Sequence, residues 1–293
     1  MKIVACIKQV PDTTAEIKID KETSTLALDG VENITNPFDE FAVEEALLTR
    51  EKHGGEVHVI TMGPPHAIEV LRNALAMGVD QAYLACDTAF AGADTLATAY
   101  TLSKAIEKIG DVDLVFCGKQ AIDGDTAQVG PQVAEKLGVP QITYAETIDA
   151  LRDGEIVATR ALPLGTETVR STLPCLLTVV GSANRPRPPS VRRMMVHKLS
   201  ATPLEYSALL QQWPEFESEA ALDRYLAERG LRIPVWSAAD VGADSSRVGL
   251  SGSPTKVLNV DFVVLESSGS QEFEATPEGV AALMQELVEE YIL

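Results

Sequence analysis

Positive charge is scarce in this chain. Its 293 residues carry 24 Lys and Arg against 43 Asp and Glu, for a net charge of −19. A nucleic-acid partner needs a basic face to neutralise phosphates, so that class is excluded. Acidity of this degree suits solubility and the steering of basic partners. Cysteine is also scarce. Cys6, Cys86, Cys117 and Cys175 form no CxxC pair, and three of them lie in or at the end of apolar, strand-like runs. Buried, reduced thiols in a cytoplasmic protein are therefore expected. The histidines His53, His58, His66 and His197 show no metal-ligand spacing, and His53 and His58, which flank Gly54-Gly55, are expected in surface turns. No apolar run approaches membrane-spanning length, so membrane insertion is not expected. The opening MKIVACIKQVPDT is not expected to act as a signal peptide, because Lys8 and Asp12 follow a short apolar run. No Ser-His-Asp, Cys-His or metal-binding constellation stands out, so hydrolytic and metal chemistry are not expected.

What is present is a glycine-bearing stretch, Gly118–Pro131 (GKQAIDGDTAQVGP), between an apolar run and a helical pattern. A strand, a turn and a helix start form a seat for a phosphate, because the first helical N–H groups lack internal partners and the dipole favours an anion. Gly118, Gly124 and Gly130 let backbone approach a ligand closely. Thr126 offers a hydroxyl, and Gln120 and Gln128 offer amides. The alternative reading is a plain connection whose helix is capped by Asp125 or Thr126. It is not a Walker loop, since no Lys-Ser/Thr pair follows the last glycine. Asp123 and Asp125 would repel a bare phosphate and fit better as caps, or as acceptors for ribose hydroxyls and backbone amides.

The first half alternates apolar runs with amphipathic stretches. Strands are expected at Ile3–Ile7, Val57–Met62, Gln81–Cys86, Val112–Cys117 and Ile142–Ala145, and helices at Pro37–Lys52, Pro65–Met77, Asp94–Ile109 and Thr126–Leu137. Asn36 and Pro37 read as cap and first helical residue. This order predicts an α/β fold with a doubly wound, mostly parallel, Rossmann-like sheet whose ligand sits at the carboxyl ends of the strands. Those ends carry Cys6 and Lys8, Met62 and Gly63, and Gly118 and Gln120. From Ala145 to Gly181 added antiparallel strands are expected: two joined by a turn at Arg152–Gly154, and a third over Leu173–Val180. Ala183–Arg193 combines Arg185, Arg187, Arg192 and Arg193 with three prolines and reads as an extended linker. Residues 194–293 read as a C-terminal arm with a closing helix over Thr276–Ile292, following a nucleotide-binding domain of residues 1–193.

Over nearly its whole length the chain resembles the β subunit of electron transfer flavoproteins. The matching stretches are Val4–Asp12, Asn36–Asp39 with Ala42–Ala46, Met62–Pro64, Ala74–Gly78, Gly118–Pro131, and the N-x-P-R element Asn184, Pro186 and Arg187. The resemblance implies a heterodimer with an α subunit that holds an electron-carrying FAD. It also implies an adenine-nucleotide pocket built from Cys6, Lys8, Asn36, Met62, Gly63, Gly118, Gln120, Ala121, Asp123, Gly124, Asp125, Thr126, Gln128, Val129 and Gly130. In most such subunits the pocket resembles a structural AMP site with three acidic residues in the loop. Here Gly124 stands where a middle Asp is common. That is similar to the branch associated with electron bifurcation and nitrogen-fixation electron supply, where the pocket takes a second FAD that receives a hydride from NADH. FAD is expected, with AMP as the alternative. The expected redox partners are a flavin dehydrogenase, including one of acyl-CoA type, or a quinone- or ferredoxin-linked protein. Ala183, Asn184, Arg185 and Arg187 are the expected partner contacts. Ala183 stands where a docking leucine is common, Arg185 where Glu is common, and residues 203–233 read as an insertion.

Overall fold

The computed structural model describes residues 1–12, 18–20, 25–27, 32–256 and 271–289. They fall into two units, Met1–Lys256 and Val257–Leu293. In chain order the first unit contains β1 (Lys2–Cys6), β2 (Gln9–Pro11), β3 (Lys18–Asp20), β4 (Thr25–Ala27), β5 (Asn33–Thr35), α1 (Pro37–His53), β6 (Glu56–Met62), α2 (Ile68–Met77), β7 (Gln81–Ala85), α3 (Thr95–Ile109) and β8 (Leu114–Gly118). Next come α4 (Val129–Leu137), β9 (Gln141–Arg152), β10 (Glu155–Leu162), β11 (Gly165–Thr172), β12 (Cys175–Val179), α5 (Val191–His197), α6 (Tyr206–Gln212), α7 (Glu219–Glu228) and β13 (Val235–Trp236).

Strands β1, β6, β8 and β12 are buried on both faces, the mark of a parallel sheet. Nine strands run in the order β11-β10-β9-β12-β8-β1-β6-β7-β13. From β9 to β13 every neighbouring pair is parallel; β10 and β11 add the antiparallel edge. Helices α1 and α2 cover one face over a core that includes Ile3, Ala5, Leu47, Val59, Leu71 and Phe116. The other face carries α3 and α4 over Val4, Ile60, Ile106, Val115, Val133 and Leu176. This is the expected doubly wound α/β sheet. The chain passes from β1 to β6 and β7 on one side, then returns to β8 on the other. The switch point therefore lies between β1 and β8, where such sheets open a crevice at their carboxyl ends.

Several expected elements differ in extent or direction. The run Leu173–Val180 forms β12, parallel to both β8 and β9, and the antiparallel addition is β10 with β11. Burial on both faces of β12 is the physical reason, since an interior position between two parallel strands is the most covered in the sheet. Helix α4 starts at Val129 rather than Thr126, because Asp125 and Ala127 take positive φ values of 49° and 52°. The expected Ala183–Arg193 linker is irregular only to Ser190, where α5 begins. His58 is buried within β6, with its ring stacked on Tyr83, instead of lying in a surface turn.

As far as Lys256, the segment after Met194 belongs to the first unit. It supplies β13 beside β7, and α6 and α7 enclose their own apolar cluster of Tyr206, Leu222, Leu226 and Leu231. Residues 203–233 thus form a helical hairpin, tied to α2 where Arg72 donates to Ser200 O and pairs with Glu205. Residues 244–256 are irregular apart from short 3₁₀ turns. In the second unit α8 (Pro277–Glu289) forms where the closing helix was expected, and its expected end at Ile292 lies outside the described residues. Among the described residues no helix is long and apolar enough to cross a membrane.

Candidate functional site

The start of α1 fixes the geometry of the crevice. Asn36 occupies the N-cap position, but its side chain does not cap the helix. Instead Nδ2 donates to Gln120 O (2.8 Å), and Oδ1 accepts from Ile122 N–H (3.2 Å). One turn on, the buried Asp39 carboxylate accepts from Lys8 N–H (2.7 Å) and from Gly118 N–H (3.1 Å). Two neighbouring side chains therefore hold the end of β1, the end of β8 and the start of the following loop. Burial pushes the Asp39 carboxyl up to about 7, against the lowering effect of Asn36 and the two backbone donors. Asp39 was not foreseen as a site residue. The Asn-Pro-Phe-Asp run was visible, but its hydrogen bonds span 31 and 79 residues and leave no local pattern.

Each expected site residue has a defined place. Cys6 and Cys117 pair in register across β1 and β8 and are buried free thiols. The Cys6 side chain and burial push the Cys117 thiol well up. Met62 ends β6, and Gly63 follows it, bonding Ala85 O. Lys8 reaches from the end of β1 to Asp123 in the loop, with Nζ at 2.8 Å from Oδ1 and 2.5 Å from Oδ2. Gln120 Nε2 donates to Asp125 Oδ1 (2.7 Å), and Asp125 N–H donates to Ala121 O (2.9 Å). Gln128 Oε1 accepts from Thr95 at the start of α3 (3.0 Å). The residues expected in the pocket from β1, α1, β8 and the loop are brought together. Neither Asp125 nor Thr126 caps α4, whose N-cap is Gln128 with no side-chain bond to the helix.

The three loop glycines are not equivalent. A Cβ on Gly118 would lie 2.6 Å from Phe38 C and 2.8 Å from Asp39 N, so this glycine lets α1 approach β8. A Cβ on Gly130 would lie 2.7 Å from Thr178 Cγ2, so that glycine seats α4 on β12. Gly124 has nothing within 4 Å of an added Cβ, and no positive φ requires glycine there. The fold does not explain Gly124; a ligand against the loop would. The crevice offers a seat for an anion by its donor set. It has an uncapped first turn of α4, one side-chain cation on Lys8, and carboxylates whose charge is already engaged. A separate cavity of about 440 Å³ lies between α3, Lys136 and Ser246–Pro254, and none of the expected site residues lines it.

The expected partner contacts divide differently. Asn184 Nδ2 donates to Phe41 O (3.0 Å) and Glu45 (2.9 Å). Arg187 pairs with the buried Glu44 at 2.8 Å and with Glu51 at 2.5 Å. Ala183 packs against the α1–α2 face of the core, and Arg185 is exposed.

The electron transfer flavoprotein domain family matches residues 23–204. The chain is 42% identical to the electron transfer flavoprotein subunit beta of Thermoanaerobacterium thermosaccharolyticum over the whole of both chains. It is 41% identical to the caffeyl-CoA reductase-Etf complex subunit CarD of Acetobacterium woodii, again over the whole of both chains. To protein FixA of Sinorhizobium fredii it is 43% identical, over 89% of this chain and 82% of that one. Full-length identity at this level, on a doubly wound sheet with a crevice at its switch point, places the chain in the electron transfer flavoprotein family, among its β subunits.

Proposed function

We propose that this subunit binds the ADP half of an FAD in the β1–β8 crevice and works with an electron transfer flavoprotein α subunit in electron bifurcation. The observation that carries the reading is Gly124, a loop glycine with no steric or conformational reason in the fold. A diphosphate beside it meets neither a side chain nor a third carboxylate. The uncapped first turn of α4 supplies backbone donors, Thr126 a hydroxyl, and the Asn36–Asp39 clamp holds the strand ends at fixed spacing. When bound, FAD supplies the redox chemistry as a hydride acceptor for NADH whose two electrons part to different acceptors. The kinship with CarD and FixA supports this reading.

The second reading is a single-flavin carrier whose β crevice holds structural AMP, serving an acyl-CoA-type or other flavin dehydrogenase. Arg185 is the exposed cation of the N-x-P-R element and the residue offered to a quinone- or ferredoxin-linked redox partner. Helix α8 exposes Val280, Leu283, Met284 and Val288, and this apolar side is the surface we assign to the α subunit. The complex works in the cytoplasm. Nucleotide extraction from the coexpressed αβ complex decides between the readings. Two FAD and no AMP per heterodimer is the expected result, and one FAD with one AMP overturns it.

A further inference from the structure

We propose that Asp123 is a counter-ion kept for Lys8, and that an incoming diphosphate takes its place on the ammonium. The inference rests on the nucleotide reading of the crevice and adds a specificity-determining pair to it. Lys8 cannot shift at its root: its N–H is held by Asp39 at 2.7 Å, and its C=O accepts from Asn36 N–H at 2.8 Å. Only its side chain is free to change partner. That side chain crosses from the end of β1 to the loop and pairs with both oxygens of Asp123.

The ion pair is not needed to hold the loop. Asn36 already binds Gln120 O and Ile122 N–H, Asp125 N–H binds Ala121 O, the Gln120 and Asp125 side chains bind each other, and Gln128 binds Thr95. The neighbouring residue is Gly124, with open space where a side chain would project. A carboxylate paired to a cation at the open edge of an anion seat occupies the place an anion would take. The two side chains are 49% and 32% exposed, so water screens the pair and its strength is small enough for a phosphate to compete. Lys119, the next cation along, lies over the Phe38 ring at 4.9 Å.

The test uses nucleotide-stripped αβ complex titrated calorimetrically with ADP, at two salt concentrations, in wild type, Asp123→Asn and Lys8→Gln. Removing the competing carboxylate should tighten ADP about three- to five-fold, the range of one exposed ion pair. Lys8→Gln should weaken ADP and flatten its salt dependence. A structure with ADP should show Nζ moved from Asp123 to a phosphate oxygen. If Asp123→Asn binds ADP no better than wild type, or Lys8→Gln binds it equally well, the counter-ion role is overturned. Failure of wild type to bind ADP or AMP at all overturns the nucleotide reading instead. Because the pair is part-exposed, both variants should melt within a few degrees of wild type, which is checked first.

Discussion

Helix α1 serves two regions that the sequence singled out, and it treats them in opposite ways. In the crevice its first turn grips backbone: Asn36 and Asp39 hold N–H and C=O groups of Lys8, Gly118, Gln120 and Ile122. The side chains of the loop pair with one another, with Lys8 or, for Gln128, with Thr95 of α3. Further along, Glu44, Glu45 and Glu51 grip mainly side chains, those of Arg187 and Asn184, with the Arg187 N–H on Glu44 as the added backbone contact. A motif residue whose side chain ends on its own subunit's helix is committed to the fold. One left exposed, such as Arg185, or without a steric reason, such as Gly124, is available for something else.

The largest expected effect tests the crevice clamp. Asp39 has a folded-state pKa near 7, above the ordinary value of 3.8. Between those values the native state holds a proton that the unfolded chain has lost, so this group's contribution is full below about pH 4 and lost as pH rises through about 7. A rise of that size corresponds to about 4 kcal/mol at most. The difference in denaturation free energy between wild type and Asp39→Asn, followed from pH 4 to pH 8, should change by a few kcal/mol. A constant difference would mean that Asp39 does not titrate in this range.

The N-x-P-R element comes next. Arg187→Ala strands the buried Glu44 and should cost about 3 kcal/mol, whereas Arg185→Ala should stay within about 0.5 kcal/mol. Urea unfolding of the two variants measures the contrast, and equal costs would erase the distinction between committed and free arginines.

The glycines sharpen it further. Gly118→Ala drives a methyl into the start of α1 and should cost about 2 kcal/mol. Gly124→Ala meets open space and should be neutral within about 0.5 kcal/mol. Gly124→Asp should likewise melt as wild type yet retain less nucleotide, read as the nucleotide content of the purified complex. Full retention would leave Gly124 unexplained.

What was legible in the sequence was whatever has a local cause. The apolar runs gave strand positions, and glycine-bearing turns such as Arg152–Gly154 gave the hairpin. What was missed depends on distant partners. The parallel direction of β12 is set by β8 and β9 on either side. Helix α5 was hidden behind three prolines, although Pro188 and Pro189 lie just before its start. The caps assigned to Asp125 and Thr126 failed because two residues of the loop take left-handed backbone and delay the helix. The loop that builds the candidate site was recognisable, but the side chains that position it came from a helix start some 80 residues earlier, which only the assembled sheet brings near.

That separation orders events during synthesis. Asp39 waits for Gly118, 79 residues later, and β1 gains its second neighbour only when β8 is made. A growing chain that ends before β8 has β1, β6 and β7 but one wall of the crevice. Any molecule bound at the β1–β8 edge can thus stabilise only chains that have completed the centre of the sheet, and it exerts no pull on earlier intermediates.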